Sequence, residues 1–341
     1  MRRILVTGGA GYIGSILSRA LLARGYQVRI LDRLYWGRKP IADILDRVEL
    51  IQDDVRTMTA DYLNGVDAVI HLAGLSNDPT AEYNPDANWQ MNAVATERLA
   101  RLCKEVGVRR LVFGSSCSIY DGLPSGVDHD ETAPVEPRGP YATSKYYGEQ
   151  VLQKLADETF CPVILRQATV YGFSPRMRYD LVVNTFVKDA LAKGKLYLHG
   201  GGWMWRPLVD VTDVAAAHIA CLEADPDQVR GQVFNVVHEN HQIRQLAMLV
   251  AGSVQLRKRP VELEMAPLPK LVRDYRCSGE KIYRTIGFRP RVTVLESIDR
   301  MLNEIVNDGY LNFGHPRYYN IEWMSLLDEV TREQRTFSSV F

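Results

Sequence analysis

At 341 residues the chain has room for one large domain or two ordinary ones, and with 46% hydrophobic and 24% charged residues it can bury a sizeable core. Lys plus Arg number 41 and Asp plus Glu 41, a zero net charge that argues against binding nucleic acid or anionic lipid by bulk charge. No apolar run approaches the roughly 20 residues of a membrane span, and MRRILVTGG offers too few apolar residues for a signal-peptide core.

Strand and helix patterns alternate from the start. Arg3–Thr7 reads as a short strand ending in glycines. Ile13–Arg24 reads as a helix with Ile13, Ile16, Leu17, Ala20 and Leu21 on one face. Strands follow at Gln27–Leu31, Val48–Gln52 and Ala68–Leu72, then a long helix at Asn88–Val106. Arg110–Gly114 and Pro162–Arg166 read as further strands, with a helix at Tyr141–Glu158 between them. Wholly apolar strands alternating with helices predict a parallel sheet covered on both faces, hence a doubly wound α/β (Rossmann) fold. The rhythm changes after Gly172. Residues 173–206 hold a Pro/Arg-rich loop, a helix at Leu181–Lys193 and three glycines at 200–202. A helix–strand unit within 207–238 returns to the sheet. The expected division is therefore a dinucleotide-binding domain over 1–171 with 207–238, and a smaller α/β substrate lobe and tail over 172–206 and 239–341. The last thirty residues are rich in aromatics (Tyr310, Phe313, Tyr318, Tyr319, Trp323, Phe337, Phe341), as expected of a tail packed on the body or on a dimer partner.

The five cysteines (Cys103, Cys117, Cys161, Cys221, Cys277) are odd in number, scattered, and form no CxxC pair. That speaks against a disulfide framework or zinc ribbon and for a reducing cytoplasm. The histidines are scattered too, and nothing suggests a metal.

TGGAGYIG at 7–14 lies between the first strand and the first helix, with Gly8-x-x-Gly11-x-x-Gly14 spacing. Gly8 permits the tight turn, Gly11 a close backbone approach to a pyrophosphate, and Gly14 close helix–strand packing. The helix N-terminus then faces the anion. Asp32, at the end of the second strand, suits adenosine ribose hydroxyls and repels a 2′-phosphate. This favours NAD over NADP, although Arg33 and Arg38 stand nearby. Tyr141 and Lys145 sit at i and i+4 just after Pro140, so phenol and ammonium share a helix face, and a cation there lowers the phenol pKa toward use as an acid/base. Ser115 and Ser116 end a parallel strand, where open α/β sheets bind ligands.

Together these residues resemble the extended short-chain dehydrogenase/reductases, especially their nucleotide-sugar epimerases, dehydratases and ketoreductases. The resemblance is carried by TGGAGYIG (7–14), Asp54-Val55, HLAG (71–74), Asn92, SSCSIY (115–120), YATSK (141–145), TVYG (169–172) and WRPLVDVTDVA (205–215), and in the C-terminal lobe by RDYRCSGEK (273–281). Residues beyond about Asp308 match nothing in that pattern. The resemblance implies that Gly8, Gly11, Tyr12, Ile13 and Gly14 take the pyrophosphate and Asp32 the ribose. Asp54 and Val55 then flank the adenine, Leu72, Ala73 and Gly74 line the cofactor, Asn92 holds nearby backbone or water, and Val170 lies by the nicotinamide. It makes Tyr141 the acid/base, Lys145 its partner and a cofactor ligand, and Ser116 the catalytic hydroxyl. Asn184, Arg206 and Arg273 would bind the substrate diphosphate, as guanidinium forks do, and Cys117 would either stand beside the sugar, as a cysteine near here acts in certain epimerases, or be simply small and buried.

Dehydratases of this superfamily carry an Asp-Glu pair where this chain has Cys117 and Ser118, which ranks dehydration low. Asp121 replaces the glycine that usually follows Tyr120. The leading expectation is an NAD-dependent nucleotide-sugar epimerase, and the alternative is an NAD(P)-dependent keto-sugar nucleotide reductase or dehydrogenase. A non-catalytic NAD(H) sensor is the outlying reading. The resemblance also implies a homodimer paired through the helices at 88–106 and 141–158.

Overall fold

The computed structural model describes residues 2–268 and 272–338, with side chains as far as residue 333. Phe341 and the side chain of Phe337 lie outside the described residues. Seven strands build one parallel sheet: β1 (Arg3–Thr7), β2 (Gln27–Asp32), β3 (Val48–Gln52), β4 (Ala68–His71), β5 (Arg110–Ser116), β6 (Cys161–Gln167) and β7 (Val233–Val236). Their spatial order is 3-2-1-4-5-6-7, so the order reverses between β1 and β4. Thr7 pairs with Leu31 on one side and His71 on the other, bringing the carboxyl ends of three strands level at that reversal. A crevice outside those ends is where such sheets bind ligands. Every residue of β4 and β6 is buried, because helices cover both faces.

The first helix, Tyr12–Ala23, buries Tyr12, Gly14, Ser15, Leu17, Ser18 and Leu21. The apolar stripe expected from sequence is only half of that surface. Ile13, Ile16 and Ala20 pack at its margin, while the small residues Gly14, Ser15 and Ser18 are buried along with Leu17 and Leu21. The long helical pattern at 88–106 is three segments: Pro85–Asn88, a π-helical Trp89–Val94, and the α-helix Ala95–Glu105. Such wide turns occur mostly at functional sites.

The lobe has its own core, in which Tyr171, Met177, Tyr179 and Phe186 meet Leu246, Val250, Ile298 and Met301. Trp205–Asp210 pairs with Thr169–Tyr171 and Glu239–Gln242 in a separate three-stranded sheet, whereas β7 joins the large sheet as its edge. Tyr310, Phe313, Tyr318 and Tyr319 of the tail gather around Tyr179. Among the described residues no helix is long and apolar enough to cross a membrane.

Candidate active site

A cavity of about 250 Å³ opens at the carboxyl ends of β1, β2, β4 and β5 and runs under the loop that leaves the strand Thr169–Tyr171. The glycine turn forms its floor. Gly8 has φ +75°, and a Cβ there would lie 2.8 Å from the main-chain nitrogen of Ala73, so the turns after β1 and β4 touch through bare backbone. Gly14 packs against the Gly8 carbonyl with no space for a side chain. Gly11 caps the first helix without a side-chain hydrogen bond, leaving the helix's leading N–H groups to the cavity.

Asp32 stands at the end of β2 and accepts from the main-chain N–H groups of Ala10 (2.9 Å) and Leu34 (2.7 Å). Burial pushes its pKa up, and those two amides oppose the push. Arg33 is paired with Asp54 at 2.8 Å and lies over the Tyr35 ring, while Arg38 reaches Gln52. Both arginines are thus engaged away from Asp32. The cradle fits an NAD ribose with free hydroxyls, not a 2′-phosphate. Burial raises the Asp54 pKa, but Arg56 and Arg33 outweigh it and hold the carboxylate below its ordinary value.

Tyr141, Ser116 and Lys145 converge between β5 and the helix Gly139–Leu155. That helix opens on Gly139 and Pro140, where a proline lacking its N–H is tolerated, and in its first turn Asn88 donates to the Pro140 carbonyl (2.9 Å) and the Ser144 hydroxyl to the Tyr141 carbonyl (2.8 Å). Tyr141 and Ser116 both line the cavity, and the Ser116 side chain opposes the rise that burial imposes on the phenol. Lys145 is buried and donates to the Gly114 carbonyl at 2.9 Å, and burial pushes its pKa down to about 8 against the pull of Glu149. The phenol is not lowered as the sequence suggested. Burial raises its pKa, and the opposing influences are the Ser116 hydroxyl and the cation of Arg178, not Lys145.

A buried network stiffens this corner. Arg166 grips both oxygens of Glu149 (Nη2 to Oε2, 2.7 Å) and donates to the Tyr120 hydroxyl (2.8 Å), which in turn donates to Asn235 (2.8 Å). The Ser115 hydroxyl donates to Glu149 as well, so strand and helix are locked beside Ser116. His71, at the end of β4, bridges Thr7 (2.7 Å) and Thr96 (3.0 Å). Burial, helped by the charge of Lys145, pushes its pKa down to about 3, so it is neutral at ordinary pH.

Most residues singled out in the sequence reach the cavity wall: Gly8, Gly11, Tyr12, Ile13 and Gly14 on the floor, Asp32, Asp54 and Val55 at one end, and Leu72, Ala73, Gly74, Ser116, Tyr141, Val170 and Arg273 toward the other. Five do not line it. Lys145 lies beneath the wall. Asn92, in the π-helical turn, exchanges hydrogen bonds with both main-chain groups of Leu75 (2.8 and 2.9 Å) and so holds the Gly74 loop. Cys117 is fully buried with its thiol on the Arg166 carbonyl. Asn184, also fully buried, uses its amide on the Gly172 N–H (3.0 Å), the Arg178 carbonyl (2.8 Å) and the Tyr12 hydroxyl (3.1 Å). It braces the lobe loop against the first helix. Arg206 donates to the carbonyls of Trp205 and Arg273 and lies beside Asp121. Asp121 itself takes an ordinary extended backbone, and Gly122 (φ +92°) makes the turn.

Sequence reasoning passed over Arg176 and Arg178, two buried cations on the cavity wall. Arg178 pairs with Asp180 (2.8 Å) and donates to Ser76 (3.2 Å). The only cue was SPRMRYD, where alternate positions of an extended loop face one way. Arg273 is paired with Asp78.

A model of the NAD-dependent epimerase/dehydratase family matches residues 4–236. The UDP-glucose 4-epimerase of Mycolicibacterium smegmatis is 32% identical over 311 residues, covering 87% of this chain and 96% of that relative. The UDP-glucuronic acid decarboxylase 1 of Danio rerio is 29% identical over 317 residues, 88% of this chain and 72% of the relative. Among solved structures, the UDP-glucose 4-epimerase of Thermus thermophilus in complex with NAD superposes with a TM-score of 0.76 at 30% identity, covering 89% of this chain and 99% of that one. Because the family match spans the strands that build the sheet and its cavity, this chain belongs to the NAD-dependent epimerase/dehydratase family.

Proposed function

We propose that the protein is an NAD-dependent nucleotide-sugar epimerase that works through transient oxidation to a keto-sugar. The observation that carries this reading is the Tyr141–Ser116 pair on the wall of one continuous cavity, with the glycine turn and Asp32 at its far end. Gly8, Gly11, Gly14 and Asp32 would hold the dinucleotide, with Lys145 beneath its nicotinamide ribose. Bound NAD supplies a reversible hydride acceptor at the sugar carbon. Tyr141 Oη takes the proton from the sugar hydroxyl as the carbon–hydrogen bond breaks, and returns it when the hydroxyl re-forms. Ser116 Oγ donates a hydrogen bond to the keto oxygen between the two steps. One acid/base and a positioned sugar suffice for this chemistry.

Cys117 and Ser118, where related dehydratases carry an acidic pair, are both buried, which supports an epimerase over a dehydratase. Relatives named UDP-glucose 4-epimerase make a UDP-hexose the first substrate to try. The reading includes a homodimer formed through Ala95–Glu105 and Gly139–Leu155, next to which Trp89 and Val94 remain exposed. Light scattering should then give twice the chain mass.

NMR of the protein with a panel of nucleotide sugars should show isomer formation without net change in NADH. Tyr141→Phe should lower kcat by about 10²- to 10⁴-fold while NAD still binds. Net NADH consumption on a keto-sugar with no isomer would replace the epimerase by a reductase. Full activity of the phenylalanine variant would remove the mechanism.

A further inference from the structure

The family match ends at residue 236, before the C-terminal tail. The tail nevertheless reaches the cavity. Asn320 opens the last helix, is 3% exposed and lines the cavity wall. Its side-chain oxygen accepts from Arg176 Nη2, and its Nδ2 donates to the carbonyl and hydroxyl oxygens of Ser76, each at 3.2 Å. Its main-chain N–H donates to Asp180 at 3.3 Å. Three residues on, Trp323 Nε1 donates to the Tyr35 carbonyl at 2.6 Å. The tail thereby ties together the loop after β4, the lobe loop at 172–180, and the loop that leaves Asp32.

Arg176 is the unusual member of this set. It is 4% exposed and stacked 4.1 Å over Trp36. Its Nη1 has no hydrogen-bond partner among the described residues. Its loop packs on the first turn of the anion-facing helix, where the Ser174 hydroxyl donates to the Tyr12 carbonyl at 2.7 Å. A buried guanidinium with an unused N–H on a cavity wall is costly unless an anion meets it. Burial, with Arg178 close by, pushes its pKa down to about 9 against the pull of Asp180.

We propose that the C-terminal segment is a strap over the dinucleotide site, in which Asn320 positions Arg176 as a second anion-binding group opposite the glycine turn, so that the cofactor's pyrophosphate is gripped from both sides. The inference rests on the NAD site of the proposed function. It makes NAD a resident group, which suits a reaction that regenerates its cofactor every cycle. Release would require the strap to lift from Ser76, Asp180 and Tyr35.

The test uses dinucleotide and no sugar. Wild type, Asn320→Ala, Trp323→Phe and a chain ending at Tyr319 (which keeps the aromatic plug around Tyr179) are titrated with NAD, ADP-ribose and adenosine, and NAD release is timed after dilution into a chase. Asn320→Ala and the shortened chain should bind NAD and ADP-ribose at least tenfold more weakly and release NAD at least tenfold faster. Adenosine, which lacks the pyrophosphate, should bind within twofold of wild type. Asn320→Ala in an Arg176→Gln background should add little, because Asn320 acts through Arg176. Folded variants that hold NAD as wild type does would overturn the strap, and so would an equal loss for adenosine. If the shortened chain does not fold, the two point variants decide alone. A wild type that binds NAD tightly yet isomerises no nucleotide sugar would remove the epimerase reading and leave this one standing.

Discussion

Lys145 Nζ donates to the Gly114 carbonyl, 2.9 Å away, at a position only 5% exposed. Holding an ammonium there costs stability. Burial keeps its folded pKa at about 8 against an ordinary 10.5, so between those values the unfolded chain binds a proton that the folded chain has released. Stability therefore rises with pH across that window, and the cost is fully felt below it. Lys145→Met should stabilise the protein by about 1–3 kcal/mol at pH 7 while abolishing turnover, and the gain should shrink near pH 10. Urea unfolding at the two pH values measures it. An equal difference at both would place the cost elsewhere.

The cation opposing burial at Tyr141 is Arg178. Removing it takes away a stabiliser of the phenolate and so raises the phenol pKa further. Arg178→Gln should move the acid limb of kcat/KM upward by about one pH unit. Arg178→Lys, which keeps a charge, should shift the limb less. An unmoved limb in both variants would separate Arg178 from the proton transfer.

Glu149 and Arg166 form a nearly solvent-free pair, 1% and 6% exposed. Removing one partner strands the other charge in a dry interior. Arg166→Met should destabilise by about 3–5 kcal/mol, whereas Glu149→Leu combined with Arg166→Met should recover most of that loss. Denaturant midpoints for the two single variants and the double variant close the cycle. Activity should not return with stability, since the double variant also takes the carboxylate partner from Ser115.

His71 and His218 are both pushed down to about 3 by burial, with Lys145 also lowering His71. Unfolded histidine binds a proton near pH 6.5 and the folded forms do not, so stability falls as pH drops from there toward 3. Each should contribute a slope of up to about 1.4 kcal/mol per pH unit in that range. His218→Gln should remove close to one histidine's share. Unfolding midpoints at pH 7 and pH 4.5 are the check.

The sheet was legible because β4, β6 and their neighbours carry regularly spaced apolar runs, as burial on both faces demands. The cofactor floor was legible because only glycine tolerates the Gly8 conformation and the Gly8–Ala73 approach. What escaped depends on contacts between distant segments. Asn184 is an ordinary helical amide in sequence, and its work on Gly172, Arg178 and Tyr12 follows from how the lobe docks. Cys117 follows Ser116 and turns into the core, because the 3₁₀ turn at Cys117–Tyr120 directs it there. Nothing local marks Asn320, whose partners at Ser76 and Arg176 are 244 and 144 residues away.

The wide turn at Trp89–Val94 winds more slowly than an α-helix, so the segments before and after it are phased differently from one regular rod. Asn88, on the early side, reaches Pro140, and Thr96, on the late side, reaches His71. A single deletion there could be absorbed by tightening the turn to an α-helix, whereas a single insertion would rotate one anchor relative to the other by about 100°, and the two could no longer be met at once. This helix therefore tolerates shortening at the wide turn far better than lengthening.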